Sequence, residues 1–137
     1  MADATLTWLG HSAFRIDTPG GKRVYIDPFL TGNPKCPESE QKPERVDIVA
    51  LTHGHGDHVG DAAELLKSFG AQLVAQVELK SWLGNQGAPV GDLPGINKGG
   101  SQEIDGIRFT LTNAFHSSRL RSHSTPATTY GRMKSDM

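Results

Sequence analysis

Four side chains that bind metal ions stand close together in the segment His53-Gly54-His55-Gly56-Asp57-His58. Zinc binds imidazole nitrogen and carboxylate oxygen at about 2.0–2.2 Å, usually in a tetrahedral arrangement. Residues two apart in an extended segment point the same way, so His53 and His55 can meet one metal ion. Asp57 and His58 then turn toward a second position nearby. The spacing therefore predicts a metal site that is centred on this loop.

Two other interpretations of this histidine loop are weaker. A chance cluster of histidines in a polar loop is the simplest, but the order H-x-H-x-D-H is too specific a pattern to arise often by chance. A structural zinc site is the better alternative. Such sites usually contain cysteine, and the single cysteine, Cys36, is far away in the sequence. We therefore favour a metal site of the catalytic type.

The segments on either side of this loop are predicted to hold it rigidly. Residues 46–51 are nearly continuously apolar, which indicates a strand buried on both faces. Gly54 and Gly56 leave room for a metal ion and tolerate unusual backbone angles. A helix follows, because Asp61 and Glu64 have capping-box spacing and Gly70 is well placed to end it. Its apolar residues recur with helical spacing at Ala62, Leu65, Leu66 and Phe69.

Short β-rich segments elsewhere complete an α/β pattern. Segments 6–9, 13–16 and 24–26 are predicted strands, the last two joined by a glycine turn. Segment 73–77 is a further strand and segment 78–84 a second helix. Segments 101–104 and 107–111 form a hairpin across Asp105-Gly106. Trp8 and Trp82 are predicted to lie in the core.

Composition places the 137 residues in one ordinary globular domain. The formal net charge of -1 gives no reason to expect nucleic acid or an anionic membrane as the main partner. A single cysteine excludes an internal disulfide bond. We find neither a secretory signal nor an apolar stretch long enough to span a bilayer, and so we expect a cytoplasmic protein.

Several of these segments resemble the UPF0173 metal-dependent hydrolases, which have a metallo-β-lactamase fold. The resemblance covers about residues 5–118 and implies a four-layer αβ/βα sandwich, with a mixed sheet, flanking helices and metals at one edge between two sheets. It rests on Thr7-Trp8-Leu9-Gly10-His11-Ser12-Ala13-Phe14, Ile26-Asp27-Pro28-Phe29-Leu30-Thr31-Gly32-Asn33-Pro34, Leu51-Thr52-His53-Gly54-His55-Gly56-Asp57-His58-Val59-Gly60-Asp61, Asn97, Gly99, Gly100 and Ala114-Phe115-His116-Ser117-Ser118.

The resemblance also implies roles for individual residues. It implies that His53, His55 and His116 bind a first zinc ion, and that Asp57 and His58 bind a second. The implied reaction is hydrolysis of an ester, lactone or phosphodiester-type bond in a small molecule by metal-activated water.

The resemblance also implies roles for Asp27 and His11 beside this site, and a second role for Asp57. Asp57 is a candidate catalytic residue that could orient the water. Asp27 matches an acidic residue that ends an early strand and braces the histidine loop. His11 falls beside the site, where it touches metal or substrate, or else is only a structural residue at a strand end.

The resemblance ends after Ser118, although the family itself continues with a second αβ half that supplies a bridging aspartate and a later histidine. Residues 119–137 have neither segment and no apolar period, so we expect the N-terminal half of the fold at 1–118 and a disordered tail at 119–137. A frameshift or premature end of the reading frame would explain this switch. The basic residues of the tail are expected to be solvated: Arg119, Arg121, Arg132 and Lys134.

We therefore expect one nearly complete zinc site, a second site that lacks ligands, and a hydrolase impaired by truncation. The alternative is a fragment that binds metal without catalysis, or a half domain that needs self-association, for example as a homodimer. Strands near 101–113 would then leave an apolar patch open where the second half is missing.

Overall fold

The computed structural model describes residues 3–120, in which seven strands and three α-helices follow one another. The strands are β1 (Thr5–Trp8), β2 (Phe14–Asp17), β3 (Arg23–Ile26), β4 (Ile48–Ala50), β5 (Gln72–Val74), β6 (Ser101–Ile104) and β7 (Ile107–Thr110). The helices are α1 (Gly56–Val59), α2 (Ala62–Phe69) and α3 (Val77–Asn85), and a 3₁₀ turn covers Glu38–Glu40. The disordered tail predicted for 119–137 falls outside the described residues, apart from Arg119 and Leu120.

A mixed five-stranded sheet in the order β1-β2-β3-β4-β5 forms the centre of the fold. The pairs β1–β2 and β2–β3 are antiparallel, whereas β3–β4 and β4–β5 are parallel. All three residues of β4 are buried, as the apolar run predicted for a strand covered on both faces. The predicted α/β class is therefore confirmed.

The two faces of this sheet carry separate apolar cores. One face packs against α2 and α3 through residues such as Val49, Leu66 and Leu73. The opposite face packs against the β6–β7 hairpin, where Ile48 and Ile104 belong to one buried cluster. Both helices and the hairpin were predicted from the sequence, although α3 begins at Val77, which the sequence pattern assigned to the preceding strand.

Two expectations about apolar exposure were wrong. The apolar side of β6–β7 is covered by the five-stranded sheet, so the hairpin does not present the predicted open patch. Trp8 is not in the core: it lies on β1, an edge strand, and its side chain is 58% exposed. Leu6, two residues earlier on the same strand, is 65% exposed, and Phe115 is also fully exposed.

The ends of α2 follow the sequence in part. Gly70 ends the helix in the left-handed conformation, with φ 61°, as predicted. The predicted capping box is wrong, because the side chain of Asp61 makes no cap hydrogen bond. One of its carboxylate oxygens instead accepts the backbone N–H groups of Leu30 and Thr31, each at 2.9 Å. Asp61 therefore ties the start of α2 to the loop after β3.

Within residues 3–120, no helix has both the length and the apolar character needed to cross a membrane.

Candidate metal centre

The parallel pairing of β3 and β4 brings two chain segments to the same edge of the sheet. Ile26 pairs with Ala50 at the carboxyl ends of the two strands. Asp27 follows β3 directly, and the histidine loop follows β4. Ile26 and Ala50, 24 positions apart in sequence, are therefore neighbours. This pairing explains how Asp27 reaches the histidine loop, which the resemblance implies that it braces.

The one-turn helix α1 separates the loop's ligands into two groups. His55 is the residue before this helix, and its carbonyl accepts the N–H groups of His58 and Val59 at 3.0 and 2.9 Å. The turn brings Asp57 and His58 close to His11, whereas His53 and His55 lie close to His116. Sequence reasoning predicted two ligand directions here but not the helix, because four residues are too few to show a period.

Gly60 fixes how α1 sits against the loop after β3. Its backbone has φ 42° and ψ -121°, a conformation that side-chain-bearing residues rarely adopt. A Cβ at this position would lie 2.4 Å from the carbonyl oxygen of Pro28 and 2.5 Å from Cα of Phe29. Only glycine permits this approach, so α1 ends directly against residues 28–29.

The first group of candidate ligands consists of His53, His55 and His116, whose ring nitrogens available to a metal all lie within 4.8 Å of one another. Nε2 of His53 is 2.9 Å from Nδ1 of His55. Two nitrogens bound to one tetrahedral zinc at about 2.0 Å are separated by about 3.3 Å. Side-chain shifts of a few tenths of an ångström would therefore bring this pair of nitrogens to the separation that a shared zinc ion requires. Three neutral imidazoles and one water also make a complete tetrahedral donor set, so the residues fit a zinc ion.

The segment that carries His116 is held to the histidine loop by its neighbours. Ser118 Oγ accepts the backbone N–H of Gly54 at 2.9 Å. A Cβ on Gly54 would lie 2.7 Å from the side chain of Leu120 and 3.1 Å from the carbonyl oxygen of Arg119. Neither Gly54 nor Gly56 has a positive φ, so the unusual backbone angles expected for them are absent. Gly54 instead leaves room for the chain at 118–120, which packs directly on it.

Asp27 lies at the centre of a hydrogen-bond network beneath the ligands and is only 2% exposed. One of its carboxylate oxygens accepts the N–H of Thr52 at 2.8 Å. The other accepts the hydroxyl of Thr52 at 2.6 Å and Nδ1–H of His58 at 2.7 Å. Because Nδ1 of His58 is a donor to Asp27, its Nε2 is left with the lone pair that a metal requires.

The same network sets the tautomer of His53. Thr52 donates its only hydroxyl hydrogen to Asp27, so the hydroxyl can only accept from Nδ1 of His53, which lies 2.9 Å away. Nδ1 of His53 therefore carries the hydrogen, and Nε2 offers a lone pair beside His55. One buried carboxylate thus prepares two histidines as ligands, one directly and one through Thr52. Sequence reasoning missed Thr52, although its place next to His53 in the resembling segment was a usable signal.

The second group of candidate ligands consists of His11, Asp57 and His58, whose potential ligand atoms also lie within 4.8 Å of one another. Nε2 of His11 is 3.2 Å from a carboxylate oxygen of Asp57. The two groups adjoin, since the rings of His53 and His58 have centroids 4.1 Å apart. All the site residues predicted from the sequence are therefore brought to one edge of the sheet: His11, Asp27, His53, His55, Asp57, His58 and His116.

The charges of the site favour the ligand forms of these groups. Burial lowers the pKa of His53 below its usual 6.5, and the neighbouring His58 lowers it further. His53 is therefore neutral near pH 7. Burial alone would raise the pKa of Asp57, but its own backbone N–H and the neighbouring His58 and His11 hold it below the usual 3.8. Asp57 is therefore an ionised carboxylate.

Two cavities open beside the ligands. One, of about 540 Å³, is lined by His55, Asp57 and Arg119, the last of which we expected in a solvated tail. The other, of about 580 Å³, lies on the side of His53 and His116. Lys98 lines it together with hydroxyl and amide side chains, among them Gln76, Thr110, Thr112, Ser117 and Ser118. Each cavity thus places a cation within the walls that adjoin the metal ligands.

Comparison with known sequences finds close relatives of this chain. It is 45% identical over 119 residues to a UPF0173 metal-dependent hydrolase of Roseiflexus castenholzii, a match that covers 85% of this chain and 49% of the relative. A UPF0173 metal-dependent hydrolase of Herpetosiphon aurantiacus is 47% identical over 125 residues, covering 90% and 52%. The resemblance predicted from the sequence is confirmed. The chain spans about half the length of these relatives.

Solved structures with a similar fold include a metallo hydrolase from the archaeon Ignicoccus hospitalis, with a TM-score of 0.70 and 35% identity. That match covers 84% of this chain and 50% of the archaeal protein. A diiron beta-hydroxylase from Streptomyces venezuelae shares the fold alone, with a TM-score of 0.55 and 18% identity over 79% of this chain and 23% of that one.

A comparison with protein families gives the same result as the individual relatives. The sequence profile of the beta-lactamase superfamily domain matches residues 5–136, nearly the entire chain. The chain therefore belongs to the beta-lactamase superfamily domain family.

Proposed function

We propose that this chain carries the metal-binding part of a zinc-dependent hydrolase that cleaves an ester, lactone or phosphodiester-type bond of a small molecule. The observation that carries the proposal is the convergence of His53, His55 and His116 from two distant segments, with their ligand nitrogens within 4.8 Å of one another. The relatives' names, which call them metal-dependent hydrolases, support the same reaction class.

The residues of the site have separate tasks in this proposal. A zinc ion, when bound, supplies a Lewis acid that acidifies water and offsets negative charge on a substrate oxygen. Asp27 and Thr52 hold the ligand histidines in the required tautomers. Asp57, an ionised carboxylate that is 52% exposed, can orient a water molecule and accept its proton. Lys98 and Arg119 line the two cavities, which suits a substrate with negative charge.

Metal content and hydrolysis together test the proposal. We expect the purified chain to retain zinc after desalting and to hydrolyse a p-nitrophenyl ester or bis(p-nitrophenyl) phosphate slowly. His116→Ala should lose the zinc ion of the three-histidine group and the hydrolysis together, whereas Glu78→Gln, an exposed change on α3, should keep both. Hydrolysis that survives both removal of the metal and His116→Ala would disprove the proposal.

Exposed apolar side chains favour a second candidate, a half domain that binds metal without catalysis or works only after self-association. Leu6 and Trp8 lie side by side on an edge strand, and Phe115 is next to the ligand His116. Such a surface is typical of a face that another chain covers. Tight zinc binding without hydrolysis, together with a dimer in light scattering, would favour this candidate.

In either case we propose a cytoplasmic protein, in which the buried Cys36 is a free thiol.

A further inference from the structure

We propose that His11 is a metal ligand that completes a second metal position together with Asp57 and His58. The inference deepens the proposed function and rests on it, because it assigns the neighbouring position of the same site. From the sequence we expected two ligands at this position, Asp57 and His58, and left open whether His11 touches metal, touches substrate or is only a structural residue. His11 adds a third from within the same chain.

The three side chains converge on one point. Nε2 of His11 is 3.2 Å from a carboxylate oxygen of Asp57, and the ligand atoms of all three residues lie within 4.8 Å of one another. The rings of His11 and His58 meet nearly at right angles, with centroids 5.1 Å apart. Because Nδ1 of His58 is bonded to Asp27, the nitrogen left for a metal is Nε2. Two imidazoles and one carboxylate form a donor set that suits zinc and other first-row divalent ions.

The backbone holds His11 in an uncommon conformation. Its φ is 53°, in the left-handed region that few residues with a side chain adopt. The turn is closed by a hydrogen bond from Leu9 N–H to the carbonyl of Ala13 at 2.8 Å. The indole N–H of Trp8 donates to the carbonyl of His11 itself at 3.0 Å. Strain of this kind persists where the surroundings fix it, and it is concentrated at functional sites.

The turn is also anchored from below by Asn33, which is only 3% exposed. The side-chain amide of Asn33 donates to the carbonyls of Leu9 and Phe29 at 3.2 and 2.9 Å. Gly10 lies so close to Lys35 that a Cβ on it would be 2.6 Å from Cβ of that residue. The position of His11 relative to residues 29–35 is therefore set before any metal binds. Residues 28–29 in turn contact Gly60 at the end of α1, so His11 is fixed relative to Asp57 and His58.

A simple ion pair between His11 and Asp57 does not account for this arrangement. The two side chains are 40% and 52% exposed, and ion pairs at such positions contribute little to stability. A weak surface ion pair does not require a turn that is anchored by buried hydrogen bonds and held at a positive φ. A metal ion bound between the three side chains would explain why the turn is held in this position.

Metal stoichiometry tests this proposal without any assay of activity. Zinc is titrated into the chelator-treated protein, and bound zinc is counted by calorimetry and by elemental analysis. We expect two zinc ions per chain in the unchanged protein and one in His11→Asn. Asparagine tolerates a positive φ but has no imidazole, so the turn is kept and the ligand is lost. The affinity of the second site should fall by more than the roughly 10–100-fold that results from loss of an outer partner of a ligand.

Two controls separate this inference from the proposed function. His116→Ala should lose the first zinc, and His11→Gly should behave like His11→Asn because glycine also accepts the backbone conformation. Thermal unfolding of the metal-free variants checks that each one folds. One zinc in both the unchanged protein and His11→Asn, lost in His116→Ala, would overturn the role of His11 and leave the proposed function standing. No bound zinc in the unchanged protein would overturn both.

Discussion

At the scale of single residues, the candidate ligands could be predicted from the sequence, but the residues that support them could not. Histidines and aspartate at H-x-H-x-D-H spacing carry the metal chemistry in their own side chains. Thr52 does not: its hydroxyl matters only because Asp27, 25 residues earlier, ends a neighbouring parallel strand. Its place next to His53 was a usable signal that it belongs to the site, but nothing in its residue type indicated that it connects Asp27 to His53.

Thr52 offers a direct test of the tautomer assigned to His53. Thr52→Val keeps the shape but removes the hydroxyl that receives Nδ1–H of His53. We expect both tautomers of His53 to be populated and zinc affinity to fall by about 10-fold, the lower end of the effect of outer partners on metal ligands. Competition titration with a chromophoric chelator measures the affinity, and nitrogen NMR of the imidazole reports the tautomer.

Thr52→Ser is the matched control, because it restores the hydroxyl on a smaller side chain. It should return the affinity to within about twofold of the unchanged protein, since an effect that depends on the outer hydrogen bond should depend on the hydroxyl. Equal zinc affinity in Thr52→Val and Thr52→Ser would show that Asp27 does not act on His53 through this residue.

At the scale of elements, the strand, the loop and α2 were predicted, but the way they approach one another was not. Alternation, apolar runs and helical periods are local signals, and they located β4, α2 and the hairpin. The helix α1 has only four residues and no period. Its position depends on Gly60 meeting Pro28 and Phe29, a contact between segments that are about 30 residues apart. Such approaches are set by tertiary packing, which sequence patterns do not encode directly.

Two glycine variants measure what this approach contributes. Gly60→Ala would place its Cβ 2.4 Å from the carbonyl oxygen of Pro28 and force a rarely populated backbone conformation. We expect a loss of about 3 kcal/mol or more in the free energy of unfolding, from overpacking and backbone strain together. Because α1 must shift, zinc affinity should fall as well. Urea denaturation of the metal-free protein and zinc titration give the two values.

Gly70→Ala is the companion variant at the end of α2. Gly70 also has a positive φ, of 61°, but a Cβ there would meet nothing within 4 Å. The cost should be only about 1–2 kcal/mol, that of placing alanine in the left-handed region, with no change in zinc affinity. A smaller loss for Gly60→Ala than for Gly70→Ala would contradict the close approach.

At the scale of the whole molecule, fold class and site location could be predicted from the sequence, whereas the exposed faces could not. The order of strands and helices, and the family resemblance, were enough to predict an α/β fold with ligands at one sheet edge. Trp8 was assigned to the core because tryptophan is usually well buried. Its exposure depends on β1 being the last strand of the sheet, and the covered hairpin depends on which face β6–β7 meets. Both are properties of the assembled fold.

The ligands of the first group come from segments about 60 residues apart, so metal binding should stabilise the whole fold. Zinc that binds only the folded state adds about 2.7 kcal/mol when its concentration is 100 times the dissociation constant. The segment at 112–118 is exposed, and Ser118 meets the loop through the N–H of Gly54. Through His116, zinc should hold this segment down, raise the unfolding temperature and slow hydrogen exchange at Gly54 and residues 112–118. Hydrogen exchange followed by mass spectrometry, with and without zinc, measures this protection.

His116→Ala should lose the protection at 112–118, whereas His11→Asn should keep it. Equal protection by zinc in His116→Ala would mean that His116 is not a ligand.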